Sequence, residues 1–261
     1  MDQHLQGLWP EGIKSFCSVR HGGVSTGAYA SLNLGNHVGD DPSAVSANRE
    51  SYREHIGAKP VFLNQVHGWS LVALPDQTPD GIAADVCITQ VSGLACTIMV
   101  ADCLPVLFAE PSGQWVAAAH AGWRGLAGEM GLGVIEVAVH AMRERMNADA
   151  SPIQVWLGPS IGPQAFEVGH EVRDAFCAVD ARAIECFQPG PTKGKWWADL
   201  PALARMRLQA LGVTHITGND GSPSWCTVTQ PDLFFSHRQR KTMQVFRVSR
   251  NRQPFPSWPP C

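Results

Sequence analysis

Three short segments carry reactive side chains where apolar runs stop. In NQVHG, His67 follows the run 61–66. In TIMVADCLPVLF, Asp102 and Cys103 follow 94–101. In WVAAAHAGWRG, His120 follows 115–119. Strand ends are where a rigid scaffold presents functional groups. Two imidazoles and one thiol make a chemically normal zinc set. Three protein ligands leave the fourth position open for a water or substrate, which is the catalytic arrangement. Zinc would hold Cys103 as a thiolate. The separations of 36 and 17 residues match no short local zinc motif. The same residues also suit a Cys–His nucleophile pair, with Cys103 attacking a carbonyl and His120 as base. A buried thiol beside two hydrogen-bonded histidines is the third possibility, and spacing does not separate the three.

Anion ligands are the next candidates. The glycine-rich segment RHGGVSTG (20–27) lets backbone amides converge, and Arg20 adds a forked donor. It is neither a G-x-G-x-x-G fingerprint nor a GK[ST] phosphate loop, and a plain hairpin turn fits it too. Arg124, four residues after His120, is a second anion candidate. Asp102 beside Cys103 could orient a ligand or move a proton. His237, in FFSHR, follows an apolar run; His21, His37 and His170 sit beside turns. Asp80-Gly81 and Ala84-Asp85 read as turn chemistry before a strand.

The elements that must position these groups follow from pattern. Residues 15–19 read as a strand leading into the turn 20–27. Asp41-Pro42 starts a helix, with Asp as N-cap and Pro first, that runs to Ile56 and stops at Gly57. Residues 61–66, 71–74, 85–89, 94–101, 106–109 and 115–119 are strand-like. Residues 126–146 read as a helix, with Met130, Val134, Val137, Ala138, Ala141 and Met142 at helical spacing and three glycines weakening its start. A strand at 153–157 precedes the turn GPSIGP. Helices follow at 171–179 and at 200–211, the second capped by Asp199 and closed by Gly212. Strands are expected at 213–217, 233–236 and 242–248, then an irregular proline-rich tail from about 251. No repeat or linker divides the chain, so residues 1–261 read as a single domain. The mixture without strict β-α-β alternation predicts an α/β or α+β fold with a mixed sheet.

Composition narrows the function classes. The chain has 261 residues, 44% hydrophobic and 16% charged, with a net charge of −3. That balance argues against nucleic acid or an anionic membrane as a partner recognised by bulk charge. Nine Trp and ten Phe argue against disorder. The N-terminal MDQHLQGLWPEG lacks a basic and then apolar leader, and no apolar run reaches the ~20 residues of a membrane span. The expectation is a soluble, cytoplasmic protein whose eight cysteines are thiols.

Taken together, SVRHGGVSTGAYASLNLGNHVGDDP, NQVHG, ADCLPVLF, HAGWRG and LGPSIGPQAFEVG resemble the YfiH-like family, also called laccase-domain or peptidoglycan editing factor proteins. The resemblance implies a single α/β domain of layered mixed sheets with flanking helices, related in architecture to a bacterial toxin deamidase. It implies zinc bound by His67, Cys103 and His120. It also implies phosphorolysis of adenosine, inosine and methylthioadenosine, and deamination of adenosine. An older label for the family is copper-dependent polyphenol oxidase, or laccase, and some members are linked to removal of mis-built muropeptide precursors. The chain departs from the family pattern at SWCT (224–227) and RKTMQVF (240–246).

The first functional expectation is therefore a zinc purine nucleoside phosphorylase with deaminase activity, with a purine nucleoside and phosphate as small-molecule partners. Cys103, His120 and Asp102 would be its catalytic groups, and Arg20, Arg124 and His237 its substrate ligands. A true multicopper oxidase needs a four-copper set rich in H-x-H pairs. Ten histidines without one such pair argue against it, although copper can occupy a three-ligand site. A cysteine amidohydrolase acting on a cell-wall precursor would use Cys103 as nucleophile and His120 as base. A non-catalytic metal-dependent interaction protein would close the site with a fourth protein ligand, and no obvious one is present. Protein partners stay open.

Overall fold

The computed structural model describes residues 9–146, 152–239 and 244–250. Among these, the apolar runs form β1 (Ile13–Cys17), β2 (Lys59–Phe62), β3 (Leu71–Ala73), β4 (Val86–Thr89), β5 (Leu94–Val100), β6 (Leu104–Ala109), β7 (Val116–Ala121) and β8 (Gln154–Leu157). Shorter strands follow: β9 (Glu167–Val168), β10 (Phe187–Pro189), β11 (Trp196–Ala198), β12 (His215–Gly218) and β13 (Gln244–Arg250). The helices are α1 (Pro42–Ile56), α2 (Trp123–Ala127), α3 (Val134–Met146), α4 (His170–Cys177) and α5 (Leu200–Ala210).

The strands form a six-stranded sheet in the order β12-β8-β6-β7-β4-β3, a four-stranded sheet β1-β13-β5-β2 and a small sheet β10-β11-β9. The two larger sheets are mixed. In the six-stranded sheet the outer pairs β12/β8 and β4/β3 are parallel, and the central pairs are antiparallel. Side-chain alternation divides the packing. Val86, Ile88, Leu104, Val106, Phe108, Ala117 and Ala119 face α3 and α5. Cys87, Leu107, Ala109, Val116 and Ala118 face the four-stranded sheet, meeting Cys96, Ile98 and Val100 of β5. The central strands are thus buried on both faces, which is why they read as continuous apolar runs. On the far side of the four-stranded sheet, Tyr52 and Ile56 of α1 pack on Phe62 and Met99. The architecture is the mixed α/β arrangement of layered sheets with flanking helices that the family resemblance implies, with the mixed sheets that the sequence pattern predicts.

α1 follows its local signals. The Asp41 carboxylate accepts from Ser43 N and Ala44 N, and Gly57 ends the helix at φ 58°. Two expectations need correction. The helix expected over 126–146 is broken into α2 and α3 by a turn at 128–133. Gly128 adopts φ 64°, and a Cβ there would lie 2.1 Å from Leu132 O. Arg207 of α5 holds the turn, donating to Ala127 O and Gly131 O. Residues 233–236 form no strand. Leu233 N and Phe234 N both donate to Gln230 O, which makes a turn that buries Phe234 and Phe235 without a sheet partner. The proline-rich tail from 251 lies outside the described residues. No described helix is long and apolar enough to cross a membrane.

Candidate metal centre

β7 runs antiparallel to both β4 and β6, so the end of β7 meets the starts of the other two. The pairing Val86↔Ala119 continues by one residue to set Asp85 opposite His120, and His120 N donates to Asp85 O at 2.8 Å. Both side chains point into the space between the sheets, and Nδ1 of His120 lies 2.8 Å from Oδ1 of Asp85. His120 is 2% exposed and Asp85 0%. A buried carboxylate on Nδ1 fixes the tautomer with the proton there and leaves Nε2 as the ligand atom.

The same carboxylate places His67. Asp85 accepts from three successive amides, Val66 N at 3.2 Å, His67 N at 3.0 Å and Gly68 N at 2.8 Å. Converging amides favour an anion. Burial pushes the Asp85 carboxyl up, but its hydrogen bonds from His120, Gly68 and His67 outweigh that and hold it below the usual range. The loop pays with His67 at φ 61°, a conformation that needs enforcement by its surroundings. The His67 and His120 rings lie 4.7 Å apart at 78°.

Cys103 immediately precedes β6. The pairing Leu104↔Ala121 continues to set it opposite Gly122, and its Sγ lies 4.0 Å from His67 Nε2. The ligand atoms of His67, Cys103 and His120 all lie within 4.8 Å of one another, and no other group of three or more His, Cys, Asp or Glu with metal-ligand spacing occurs among the described residues. A Cβ on Gly122 would stand 3.1 Å from Cys103 Sγ and 3.2 Å from His67 Cδ2. A hydrogen at that position avoids crowding both ligand side chains. One thiolate sulfur and two imidazole nitrogens fit zinc or copper, with a position left for substrate.

The metal-free site is strongly polarised. Burial pushes the Cys103 thiol up, yet His120 and His67 outweigh burial and hold it at about 6. Burial likewise opposes charge on His120, but Cys103 and Asp85 raise it to about 9. Near neutral pH, Cys103 is a thiolate and His120 an imidazolium.

The remaining sequence candidates divide. Arg124, the second residue of α2, is exposed and lies over the Trp123 ring at 4.5 Å. It stands two residues beyond Gly122 and makes no ion pair among the described residues. Arg20 needs correction as a free anion ligand. It is 9% exposed, donates from Nε and Nη2 to Ala30 O and from Nη1 to Pro231 O, and covers the Phe235 ring. These bonds tie the guanidinium to carbonyls of two separate loops. Asp102, at φ 84°, is also engaged. Its Oδ1 accepts from Thr227 Oγ1 and its Oδ2 from Arg238 N, so the carboxylate positions a loop. His237 is exposed in the turn beside Arg238. His37 is brought toward the centre: burial, then Arg49, His67 and His120, hold its imidazole below the usual range. A cavity of about 270 Å³ between α3, α4 and α5 contains none of the three ligands, and its Glu136–Arg207 pair is internally satisfied.

Asp85 and Gly122 are the functional positions that sequence reasoning passed over. Ala-Asp before a strand looks like a turn. The available signal was a carboxylate opening a fully apolar strand, where burial demands partners.

The chain matches the family model described as multi-copper polyphenol oxidoreductase laccase over residues 14–246. It belongs to this laccase-domain, YfiH-like family. Among laccase-domain relatives, a Pseudomonas aeruginosa protein named purine nucleoside phosphorylase PA4543 is 46% identical over 231 residues, 88% of this chain and 89% of that one. The Escherichia coli purine nucleoside phosphorylase YfiH is 45% identical over 236 residues, 89% and 91% of the two chains. The crystal structure of Neisseria meningitidis protein NMB0706 shares the fold, with a TM-score of 0.81 and 39% identity over 95% of this chain and 98% of that one. The family description names several coppers; the described residues of this laccase-domain chain assemble one three-ligand centre.

Proposed function

We propose that this chain is a purine nucleoside phosphorylase that works through one zinc ion held by His67, Cys103 and His120, and that it also deaminates adenosine. The observation that carries the reading is the three-ligand centre, intact and backed by Asp85, in a chain 45–46% identical to relatives named for that activity. Copper suits the same donors, but a single centre gives no four-copper cluster for oxidase chemistry.

When bound, the metal supplies Lewis-acid activation at the centre's open position. The chain does the rest. Asp85 keeps the His120 proton on Nδ1 and fixes the loop that presents His67. Cys103 is held as thiolate. Gly122 leaves room for the Cys103 and His67 side chains to meet at the centre. Arg124, charged, exposed and forked, is suited to a phosphate oxyanion. Phosphorolysis joins a phosphate oxygen to the anomeric carbon as the glycosidic C–N bond breaks. Deamination adds water to the purine ring and expels ammonia, so it needs no phosphate.

A second reading, a cysteine amidohydrolase, is favoured by the placement of the Cys103 sulfur among the His67 and His120 imidazoles, which pull the thiol down while Cys103 and Asp85 pull His120 up. The deciding experiment measures hypoxanthine release from inosine and ammonia release from adenosine, each with and without phosphate. Phosphate-dependent hypoxanthine release, lost in His120→Ala, supports the phosphorylase. Equal release without phosphate means hydrolysis and overturns it.

A further inference from the structure

We propose that Arg238 binds the phosphate co-substrate. The proposal rests on the phosphorylase reading and extends it to the residue that ends FFSHR, beside His237.

The geometry starts at Asp102, which immediately precedes the ligand Cys103. Its carboxylate accepts Thr227 Oγ1 at 2.6 Å on Oδ1 and Arg238 N at 2.7 Å on Oδ2. This clasp carries a segment more than a hundred residues away to the edge of the metal centre. It uses the amide of Arg238, so the guanidinium is left to reach elsewhere. That side chain is exposed. It makes one long contact, Nη2 to Glu167 O at 3.3 Å, and no ion pair among the described residues. The neighbouring carboxylates are committed: Glu167 Oε2 accepts from Thr192 Oγ1, and Asp102 and Asp85 hold their own partners. Arg238 therefore presents an exposed guanidinium with no ion pair of its own among the described residues.

Other arginines near the centre are spent. Arg20 donates to carbonyls, and Arg49 lies against Asp80 and the Phe62 ring. Arg124 and Arg238 are the two exposed guanidiniums tethered within two residues of ligand contacts. Arg124 comes from the end of β7, through Gly122. Arg238 comes from the start of β6, through Asp102. A forked guanidinium on a dianion gives paired charge-assisted hydrogen bonds. Monohydrogen phosphate held by Arg238 would attack the anomeric carbon through one oxygen. The C–N bond pair leaves with the purine, and the purine takes up the proton that the phosphate brought, so charge and atoms balance.

The test uses the metal-loaded full chain with Arg238→Ala, Arg238→Glu and Arg238→Lys. The KM for inorganic phosphate should rise by about tenfold in the Ala variant, more in Glu, and recover in part in Lys. The KM for inosine, the metal content and the Tm should stay near wild type, because the clasp is made by the backbone. An unchanged phosphate KM overturns the proposal. So does an equal rise in both KM values with loss of metal, which marks a structural role. If the wild type cleaves no purine nucleoside, the phosphorylase reading fails by itself, and calorimetry with inorganic phosphate still decides the site. Phosphate binding weakened by Arg238→Ala supports it, and no binding to wild type overturns it.

Discussion

Asp85 and His120 stand opposite each other on neighbouring strands, 2.8 Å from Oδ1 to Nδ1, and both are shut away from solvent. One carboxylate thereby orients two metal ligands: it bonds the His120 ring directly and gathers the backbone amides of the loop that carries His67. The centre is built on sheet register, not on a local motif.

Replacing Asp85 should damage the centre without touching a ligand. Asp85→Asn keeps the shape but loses acceptor capacity, and metal affinity should fall by about 10–100-fold in chelator competition. Asp85→Ala strands a buried imidazole and three amides, and should cost about 3 kcal/mol or more in urea unfolding. Unchanged metal affinity in both variants would show that the pair does not orient the centre.

Two glycines one turn apart should fail differently. A Cβ at Gly122 meets Cys103 Sγ at 3.1 Å, whereas one at Gly125 meets Gly68 O at 2.5 Å. Gly122→Ala should weaken metal binding with little change in Tm, because a side chain can yield. Gly125→Ala should lower the Tm, because the carbonyl belongs to backbone. Equal Tm losses would place Gly122 in the fold and not at the centre.

Metal-stripped protein should alkylate at Cys103 near neutral pH. With the thiol held at about 6, the rate should fall as pH drops through about 6 and level off above it. His120→Ala removes the stabilising imidazolium and should move that midpoint upward. Saturating zinc should suppress the reaction. The check is a pH–rate profile with iodoacetamide and peptide mapping; a wild-type midpoint above 8 contradicts the thiolate–imidazolium pair.

Arg20→Ala should destabilise the fold. The lost guanidinium leaves Ala30 O and Pro231 O without their donor, and charged hydrogen bonds of this kind are worth about 1.5–3 kcal/mol. A lower Tm is expected. An unchanged Tm with impaired turnover would instead restore Arg20 as a substrate ligand.

How much was legible follows from how far each signal travels along the chain. α1 was readable because Asp41, Pro42 and Gly57 act within their own turns. The buried strands were readable because burial on both faces leaves no polar alternation to interpret. The break between α2 and α3 was not, since Arg207, held there by α5, secures a turn some 80 residues earlier in the chain. The ligand set showed itself as three reactive residues at apolar run ends. Asp85 stayed hidden because its partner lies 35 residues on and is found only through the β4/β7 register. The carbonyl bonds of Arg20 were not legible, because a glycine-rich turn beside an arginine looks the same whether the guanidinium faces a ligand or the carbonyls of its own chain.

The most direct test of the account is to titrate zinc into metal-stripped protein while following phosphate-dependent release of hypoxanthine from inosine. The account predicts activity that rises linearly and breaks at one equivalent per chain, with none regained in Cys103→Ala. Activity indifferent to metal, or a break at several equivalents, would contradict a single His67–Cys103–His120 centre as the seat of the reaction.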